Sequence, residues 1–346
     1  MNSVHKDFQL NGNSFSNQEE LLEFSKTISK EAFSFLVDWF SNEHSIQVKT
    51  SGSTGTPKGI LLKKEYMKNS ALATGVFFEL YEKTTALCCL PINFIAGKMM
   101  LVRAMTLGWH IDVTEPSSNP LENTEKKYDF SAMVPLQLSN SLDKIYLVDA
   151  LIVGGGVVSP ELEKSIQSIS TKVYATYGMT ETITHISVKP LNINSNGVER
   201  PYYKLLPNIS ISIDDRYCLV IDAPKVSDEK VITNDVVEIV SNEEFIWKGR
   251  YDNVINSGGV KMYPEEIERK LSAYINSRFF VAGIPDEKLG EKLILIIEGE
   301  KRKMRSLKNI LNKFEVPKEI CFVPQFIEAD TGKIQRKRTL KYLHSK

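Results

Sequence analysis

The sequence has no excess of either charge and no long apolar run. Its 346 residues contain 43 basic and 43 acidic side chains, so no overall field favours the binding of nucleic acid. No apolar stretch approaches the ~20 residues of a membrane-spanning helix. The polar start, Met1–Lys6, lacks the apolar core of a signal peptide. We therefore expect a cytoplasmic protein with no nucleic-acid partner and no membrane span.

Cysteine is also scarce. The four cysteines, Cys88, Cys89, Cys218 and Cys321, lack the spacing of a metal site. Cys88 and Cys89 are adjacent within an apolar run. We expect four reduced, buried thiols, as is usual in a reducing compartment.

The remaining composition is that of a globular protein, with 42% hydrophobic and 25% charged residues, and the length suffices for two domains. Strand-like and helix-like segments alternate, which predicts an α/β fold with a parallel-rich sheet. Helices are predicted at 16–28 (with Ser16 and Glu19 as a capping box), 31–40, 66–80, 96–107 (ended by Gly108) and 135–142. Strands are predicted at 46–48, 59–63, 85–90, 109–113, 130–134, 150–153, 173–176 and 183–188.

The segment Thr50–Gly59 is the most informative stretch of the chain. It combines glycines, hydroxyl side chains, a proline and a lysine. Glycine lets the backbone approach a ligand closely, and hydroxyls and lysine suit phosphate oxygens, so the segment predicts a polyphosphate cradle. Lys58 is followed by Gly59 and not by Ser or Thr, which excludes the P-loop of the NTPase fold. The apolar flanks predict that the loop closes a β-hairpin, and the alternative is a flexible Gly/Ser turn.

Two predicted strand ends carry residues of chemical interest. One strand runs into Gly154–Gly156 and another into Tyr177–Thr182. Ligands of open α/β sheets bind beyond the carboxyl ends of strands. The glycines could carry a flat ring on which Tyr177 stacks, and Glu181 could hold a magnesium ion. The alternatives are a plain loop before the helix at Pro160 and a solvated acid at Glu181. His185 could contact a ligand, but it could equally be a structural residue or an exposed one.

With these segments in place, the chain resembles the adenylate-forming superfamily, which includes acyl-CoA synthetases, peptide-synthetase adenylation domains and luciferases. Further segments continue the resemblance in the order of the family. They are Thr233–Asp235 (the ribose-binding motif), Gly249–Ile255 (the domain hinge), Gly258–Glu268 (the segment after it) and Thr331–Lys337 (the catalytic-lysine motif). The resemblance thus extends from residue 46 to residue 340.

The resemblance implies two domains. Residues 1–250 would form the N-terminal AMP-binding domain, which is reduced for this family, and residues 251–346 a small mobile α+β lid that is hinged at Asp252. Within the lid, the residues predict a helix from Pro264, strands at 278–284 and 292–297, and a basic-faced helix over 301–314. The basic face is either a solvated surface or a contact for CoA phosphates.

The resemblance also implies ATP, Mg²⁺ and coenzyme A as ligands, an acyl-adenylate as intermediate, and a role for each residue that matches a family motif. Lys58 with Thr50, Ser51, Gly52, Ser53, Thr54, Gly55 and Thr56 would bind the β- and γ-phosphates, and Glu181 would hold Mg²⁺. Gly154, Gly155, Gly156, Tyr177, Gly178, Met179 and Thr180 would bind the nucleotide. Asp235 and Arg250 would bind ribose, Lys333 would stabilise the α-phosphate and the attacking carboxylate, and Ser257, Gly258 and Gly259 would face the entering thiol.

The acyl pocket departs from the family pattern because Phe94 occupies the position of a histidine. The short chain most resembles the o-succinylbenzoate–CoA ligases of menaquinone biosynthesis, whose substrate is an aromatic dicarboxylate. Phe94, Thr184 and His185 are the expected acyl contacts. The second carboxylate needs a cation or several donors, and the candidates are Lys98, Arg103, Arg200 and Lys204.

Other functions stay open at this point. The chain could be another acyl- or aryl-CoA synthetase, or an adenylation enzyme that loads a separate carrier protein. A non-catalytic acyl-nucleotide binding protein is a further alternative, against which the lysine of the mobile lid argues. The oligomeric state is undetermined, with a homodimer among the alternatives.

Overall fold

The first half of the chain alternates strands with helices, as the sequence predicts. The computed structural model describes residues 4–49, 59–192, 202–304, 306–328 and 334–344. The elements up to residue 190 are β1 (Gln9–Leu10), α1 (Gln18–Ile28), α2 (Lys30–Phe40), β2 (Ser45–Lys49), β3 (Gly59–Lys63), α3 (Lys64–Phe78), β4 (Thr85–Cys88), α4 (Ile95–Leu107), β5 (His110–Val113), β6 (Tyr128–Met133), α5 (Pro135–Asn140), β7 (Val148–Val153), α6 (Pro160–Ser165), β8 (Lys172–Gly178) and β9 (His185–Pro190).

Strands dominate the rest of the chain. The elements are β10 (Tyr203–Leu205), β11 (Ser210–Ile213), β12 (Cys218–Asp222), β13 (Val231–Ser241), β14 (Glu244–Arg250), β15 (Ile255–Ser257), β16 (Val260–Met262), α7 (Pro264–Ser272), β17 (Phe279–Asp286), β18 (Gly290–Glu298), β19 (Glu319–Val323) and α8 (Arg336–His344).

A large sheet organises the molecule. Its strand order is β1-β5-β4-β6-β7-β8-β9-β10-β14-β13-β12-β11. The strands from β1 to β8 in this order are parallel to their neighbours, and the pairs from β8–β9 to β12–β11 are antiparallel. The central strands β4, β6 and β7 are nearly continuous runs of buried residues, because helices cover both faces of a parallel sheet. The predicted α/β fold is therefore confirmed.

A second, smaller sheet forms the C-terminal part. It has the order β16-β15-β18-β17, and β19 pairs with β18. Its core includes Ile267 and Leu271 of α7 together with Leu295 of β18. Pro264 occupies the first turn of α7, where its missing N–H costs no helical hydrogen bond. The large sheet thus ends with β14 at Arg250, and the small sheet begins with β15 at Ile255.

Several local predictions need correction. The N-cap of α1 is Asn17 and not Ser16, since the Asn17 side chain accepts from Glu20 N and the Glu20 carboxylate accepts from Ser16 N. The predicted helix over 301–314 is wrong, and the described residues of this stretch form only turns. Leu307 and Leu311 are buried in the core of the small sheet, and Met304 and Ile310 pack against it, so tertiary packing and not helical propensity sets the backbone of this stretch.

The expectation of four buried thiols is correct in three cases. Cys88, Cys89 and Cys218 are buried, whereas Cys321 is partly exposed because it lies on the edge strand β19. None of the four forms a disulfide. Burial raises the pKa of Cys88 and Cys89 to about 12, so both stay protonated thiols at neutral pH.

Candidate active site

The predicted phosphate cradle is closed by a hairpin. β2 and β3 pair antiparallel from Ser45 opposite Lys63 to Lys49 opposite Gly59. The hairpin prediction for the flanks is therefore confirmed, and the two ends of the loop lie side by side. The cradle residues Thr50–Lys58 themselves lie outside the described residues.

The two predicted strand ends meet at one edge of the sheet. β7 and β8 are parallel neighbours with Val153 opposite Ala175, and Thr176 Oγ1 donates to Val153 O at 3.2 Å. The segments Gly154–Gly156 and Met179–Thr182 follow these strands. A Cβ at Gly154 would lie 2.6 Å from Thr176 Oγ1, so a side chain there would displace the Thr176 hydroxyl from Val153 O.

Tyr177, Asp235 and Arg250 converge although they are distant in sequence. The Tyr177 hydroxyl donates to Asp235 Oδ2 at 2.9 Å, and Arg250 Nη1 lies 3.7 Å from Asp235 Oδ1. Asp235 and Arg250 are opposite each other in the β13–β14 pair. Trp247 of β14 donates its indole N–H to Asp235 Oδ1 at 3.1 Å. The buried Asp235 carboxylate is thereby fixed by donors on both oxygens.

Aromatic packing holds this cluster in place. The Tyr177 ring meets the Phe245 ring edge-on at 5.3 Å between centroids, and the Tyr203 ring stacks on Phe245 at 5.4 Å. Burial, followed by the charge of Asp235, raises the pKa of Tyr177. Tyr177 therefore remains a neutral donor to Asp235 at physiological pH.

An unusual turn carries Glu181. Residues Thr180–Thr182 form a short 3₁₀ turn, and the chain then reverses at Ile183, whose φ is +68° and ψ −66°. Thr184 N donates to Thr182 O at 2.8 Å across Ile183, which defines a strained γ-turn. The Ile183 side chain is buried, with 1% exposure, so packing holds the strain in place. This turn explains why β9 begins at His185 and not at the predicted Ile183.

Glu181 itself is exposed and makes no hydrogen bond or ion pair with another described residue. Across the part of the chain that the structure describes, no group of three or more His, Cys, Asp or Glu side chains could hold a metal ion. A single free carboxylate fits Mg²⁺ that is bound mainly through substrate phosphates, because Mg²⁺ keeps several water ligands and needs few from the protein. Glu181 is thus a suitable residue to hold this ion.

Two of the expected acyl contacts, Thr184 and His185, lie beside a buried guanidinium. Arg103 of α4 is 2% exposed. Its Nη2 lies 3.4 Å from Thr184 Oγ1 and 3.5 Å from His185 Nδ1, and its Nε donates to Thr74 Oγ1 at 3.3 Å. Ser70 Oγ and Thr184 Oγ1 are 3.1 Å apart. No carboxylate of the described residues forms an ion pair with Arg103, and burial lowers its pKa to about 10, which leaves it charged at neutral pH.

The other expected substrate residues lie elsewhere. Phe94 is the N-cap residue of α4 and is 47% exposed. Lys98 lies half-buried with its ammonium 5.6 Å from the centroid of the Phe35 ring, and burial lowers its pKa. Lys204 is exposed on β10, and Arg200 lies outside the described residues. Arg103 is the candidate cation that the structure places beside Thr184 and His185.

The C-terminal motifs are held by local contacts. Asp252 lies in a 3₁₀ turn directly after β14, 3.5 Å from Arg250 Nη2. Ser257 ends β15, and Gly258 and Gly259 form a two-residue hairpin turn with φ of +58° and +83°, which favours glycine at both positions. Lys333 lies outside the described residues, but Ile334 forms an isolated bridge with Glu328.

Sequence reasoning missed two features of the site. One is the hydrogen bond from Trp247 to Asp235, for which the position of Trp247 two residues before the hinge motif was the available signal. The other is the fork of Arg336, whose Nη1 and Nη2 donate to the two oxygens of Glu268 at 2.7 and 2.8 Å. This ion pair attaches the start of α8, which overlaps the end of the catalytic-lysine motif, to α7.

Comparison with known proteins identifies the family of this chain. The profile of the AMP-binding enzyme family matches residues 48–222. A 2-succinylbenzoate–CoA ligase of Listeria monocytogenes is 26% identical over 353 aligned positions, which cover 94% of this chain and 75% of the relative. A crystal structure of an acyl-CoA synthetase (AMP-forming)/AMP-acid ligase II-like protein from Dyadobacter fermentans is 36% identical. It covers 93% of this chain and 98% of its own, with a TM-score of 0.63.

A more distant structure supports the fold. The o-succinylbenzoate coenzyme A synthetase of Bacillus subtilis, in complex with ATP and a magnesium ion, has a TM-score of 0.71 at 18% identity over 94% of this chain and 82% of its own. The chain belongs to the AMP-binding enzyme family. It is an adenylate-forming enzyme of the AMP-forming acyl-CoA ligase class. No helix among the described residues is long and apolar enough to cross a membrane.

Proposed function

We propose that this chain is an ATP-dependent carboxylate–CoA ligase whose substrate is o-succinylbenzoate, as in menaquinone biosynthesis. The observation that carries this proposal is the buried guanidinium of Arg103 beside Thr184 and His185. The naming of curated relatives as 2-succinylbenzoate–CoA ligases supports the same substrate.

A buried cation without a counter-charge is costly. Arg103 is 2% exposed and its described neighbours at hydrogen-bonding distance are uncharged. An aromatic dicarboxylate removes this cost, since one carboxylate reacts and the other compensates the charge of Arg103. A monocarboxylic acid leaves the charge unpaired. The enzyme therefore selects acids with a second negative group.

The first half-reaction brings two anions together. An oxygen of the substrate carboxylate attacks the α-phosphorus of ATP, the bond to the β-phosphate oxygen breaks, and pyrophosphate leaves. Lys58 and the cradle residues Thr50–Thr56 bind the β- and γ-phosphates, and Lys333 stabilises charge on the attacking carboxylate and the α-phosphate. Glu181 would hold Mg²⁺, which would neutralise further phosphate charge.

The nucleoside is bound at the converging strand ends. Asp235 accepts from the ribose hydroxyls, because its oxygens are already positioned by Tyr177 and Trp247. Arg250 adds a donor beside it. The exposed Gly155 and Gly156 let the adenine approach the backbone, next to Met179 and Thr180.

The second half-reaction transfers the acyl group to the thiol of coenzyme A. The thiol sulfur attacks the acyl carbon of the adenylate, AMP leaves and a thioester forms. Residues 251–346 act as the lid and residues 1–250 as the AMP-binding domain. Rotation of the lid about Asp252 withdraws Lys333 and brings the Ser257–Gly259 turn towards the thiol.

The proposal is tested by pyrophosphate release from Mg-ATP. The assay compares o-succinylbenzoate with benzoate and a medium-chain fatty acid, with and without coenzyme A, for the wild type and Lys333→Ala. We expect release and thioester formation with o-succinylbenzoate alone, and their loss in Lys333→Ala. Turnover of another acid would show that the proposed substrate is wrong. Pyrophosphate release without thioester formation would favour a carrier protein as the acceptor. Nucleotide binding without turnover of any acid would overturn the ligase function.

A further inference from the structure

The turn between β11 and β12 contacts the segment directly before Asp235. In this turn, Arg216 donates through Nη1 to Asn234 Oδ1 at 2.8 Å and through Nη2 to Thr233 O at 3.1 Å. Thr233 Oγ1 in turn accepts from Asp235 N at 3.0 Å. Because a guanidinium donates along a fixed planar fork, Arg216 sets the position of both residues that precede the proposed ribose ligand.

Arg216 is itself held in one orientation by Asp214. Its Nε donates to Asp214 Oδ2 at 2.8 Å. The other carboxylate oxygen of Asp214 accepts from the backbone N–H groups of Arg216 and Cys218, at 2.8 and 2.9 Å. One carboxylate therefore fixes both the turn and the guanidinium, so Arg216 is preorganised for its contacts with Asn234 and Thr233.

The same guanidinium also lies over a residue of the hinge. Arg216 Cζ is 5.3 Å from the centroid of the Tyr251 ring, a distance typical of a cation–π contact. Tyr251 begins the 3₁₀ turn that contains Asp252 and follows β14 directly. A guanidinium can donate from its edge and stack through its face at the same time. One side chain thus connects the segment before Asp235 to the proposed hinge.

The next residue of the turn reaches towards the proposed lid. Tyr217 has a φ of +64°, which is unfavourable for a bulky side chain. Its carbonyl accepts from Val237 N at 3.2 Å, and Lys261 Nζ of β16 lies 6.0 Å from the centroid of its ring. Backbone strain persists only where surrounding contacts maintain it. The turn Asp214–Tyr217 therefore joins the ribose segment, the hinge and the small sheet.

We infer that Arg216 is a positioning residue that couples occupancy of the ribose site to the orientation of the lid. The inference rests on the proposed function, since it takes Asp235 as the ribose ligand and Asp252 as the hinge. Rotation about Asp252 changes the 3₁₀ turn and moves the Tyr251 ring relative to the guanidinium. A nucleotide on Asp235 fixes the segment that holds the guanidinium, so it favours the orientation in which Tyr251 lies against Arg216. By linkage, that orientation favours the nucleotide.

A double-mutant cycle tests the coupling. The dissociation constant of Mg-ATP, without acid or coenzyme A, is measured by calorimetry for wild type, Arg216→Met, Tyr251→Leu and the double variant. We expect Arg216→Met to weaken binding ~10-fold and Tyr251→Leu ~3-fold, because the charge-assisted hydrogen bonds are stronger than the cation–π contact. The double variant should bind like Arg216→Met. Effects that multiply would show that Tyr251 does not act through Arg216, and would overturn the inference.

Two further variants separate position from charge. Arg216→Lys keeps the charge but lacks the planar fork, so we expect its dissociation constant to stay within ~3-fold of that of Arg216→Met. Lys230→Met removes an exposed cation that pairs with Asp222 at 3.3 Å on the same sheet, and it should bind Mg-ATP like wild type. Wild-type affinity in Arg216→Lys, or equal losses in Lys230→Met and Arg216→Met, would show that charge alone matters and would overturn the positioning role.

The orientation of the lid is measured by the distance between two spin labels. The labels are attached at Lys127→Cys and Lys313→Cys, which are exposed positions, in a Cys321→Ser background that removes the partly exposed native thiol. At saturating Mg-ATP, the distance distribution should shift in the labelled protein, and Arg216→Met should reduce this shift by more than half. An equal shift in Arg216→Met, or no shift without it, would overturn the inference.

The outcomes distinguish this inference from the proposed function. Neither measurement contains an acid, so a shift that depends on Arg216 supports the inference even if o-succinylbenzoate is not turned over. If the wild type does not bind Mg-ATP, the proposed function is wrong and the inference falls with it.

Discussion

The hydroxyl of Tyr177 donates to Asp235 Oδ2 at 2.9 Å and so joins the carboxyl end of β8 to the β13–β14 pair. This bond connects the parallel half of the sheet, which carries the glycine segment 154–156, with the antiparallel half that leads to the hinge. Tyr177 and Asp235, which lie 58 positions apart in the sequence and which we propose to bind the nucleotide, are thus joined by one hydrogen bond.

The indole of Trp247 should be needed for nucleotide binding. Trp247→Phe removes the donor to Asp235 Oδ1, which frees the carboxylate to rotate. We expect KM for ATP to rise ~3- to 10-fold with a smaller change in kcat, as measured by pyrophosphate release. The matched control is Trp109→Phe, since the buried Trp109 Nε1 has no partner among the described residues. Equal effects of the two substitutions would contradict the assigned role of Trp247.

Two glycines of the site should differ in their tolerance of alanine. A Cβ at Gly178 would lie 2.2 Å from Thr184 O and 2.5 Å from His185 Cα, which are backbone atoms. At Gly156 the nearest atom would be 3.6 Å away, in the Pro135 ring. We expect Gly178→Ala to lower the free energy of unfolding by more than ~2 kcal/mol and Gly156→Ala to change it by less than ~0.5 kcal/mol. Denaturant unfolding measures both, and similar values would refute the close approach at Gly178.

His185 should make the protein sensitive to acid. Its pKa is lowered in the folded state, whereas the unfolded chain has the ordinary value of 6.5. As the pH falls below 6.5, the unfolded state binds a proton that the folded state does not, so stability is lost. The loss contributed by this residue approaches ~1.4 kcal/mol per pH unit.

The measurement is the free energy of unfolding between pH 7.5 and pH 5.5 (about one unit to either side of the ordinary histidine pKa), for wild type and His185→Gln. We expect a shallower decline in the variant. Parallel curves would mean that His185 binds a proton as readily in the folded protein as in the unfolded chain, which would contradict a lowered pKa in the folded state.

The sequence predicted much of the framework because local signals agree with the fold. Helix α4 ends at Gly108, whose φ is +74°. Because glycine favours this conformation, the end of the helix was predictable from the residue type alone. The strands β4, β6 and β7 were predictable because most of their residues are apolar, and most of these residues are buried. The hairpin of β2 and β3 was predictable because apolar segments flank the predicted cradle on both sides.

The parts that were missed depend on contacts between distant segments. The γ-turn at Ile183 has no local signal, because isoleucine is unfavourable at positive φ and only its burial stabilises it. The single turn around Leu307–Leu311 is fixed by packing on the small sheet and not by helical propensity. The charge of Arg103 was visible in the sequence, but its burial without a carboxylate partner among the residues that the structure describes was not.

The substitution Arg103→Met tests the central claim most directly. The selectivity to be measured is the ratio of pyrophosphate-release kcat/KM for o-succinylbenzoate to that for its aryl methyl ester, which lacks the second charge. Loss of one partner of a buried charge pair costs 2–5 kcal/mol, so we expect this ratio to fall by at least ~30-fold in Arg103→Met. The melting temperature should stay equal or rise, because the variant removes an uncompensated buried charge. An unchanged ratio in a folded Arg103→Met protein would show that the second carboxylate binds elsewhere and would contradict the account.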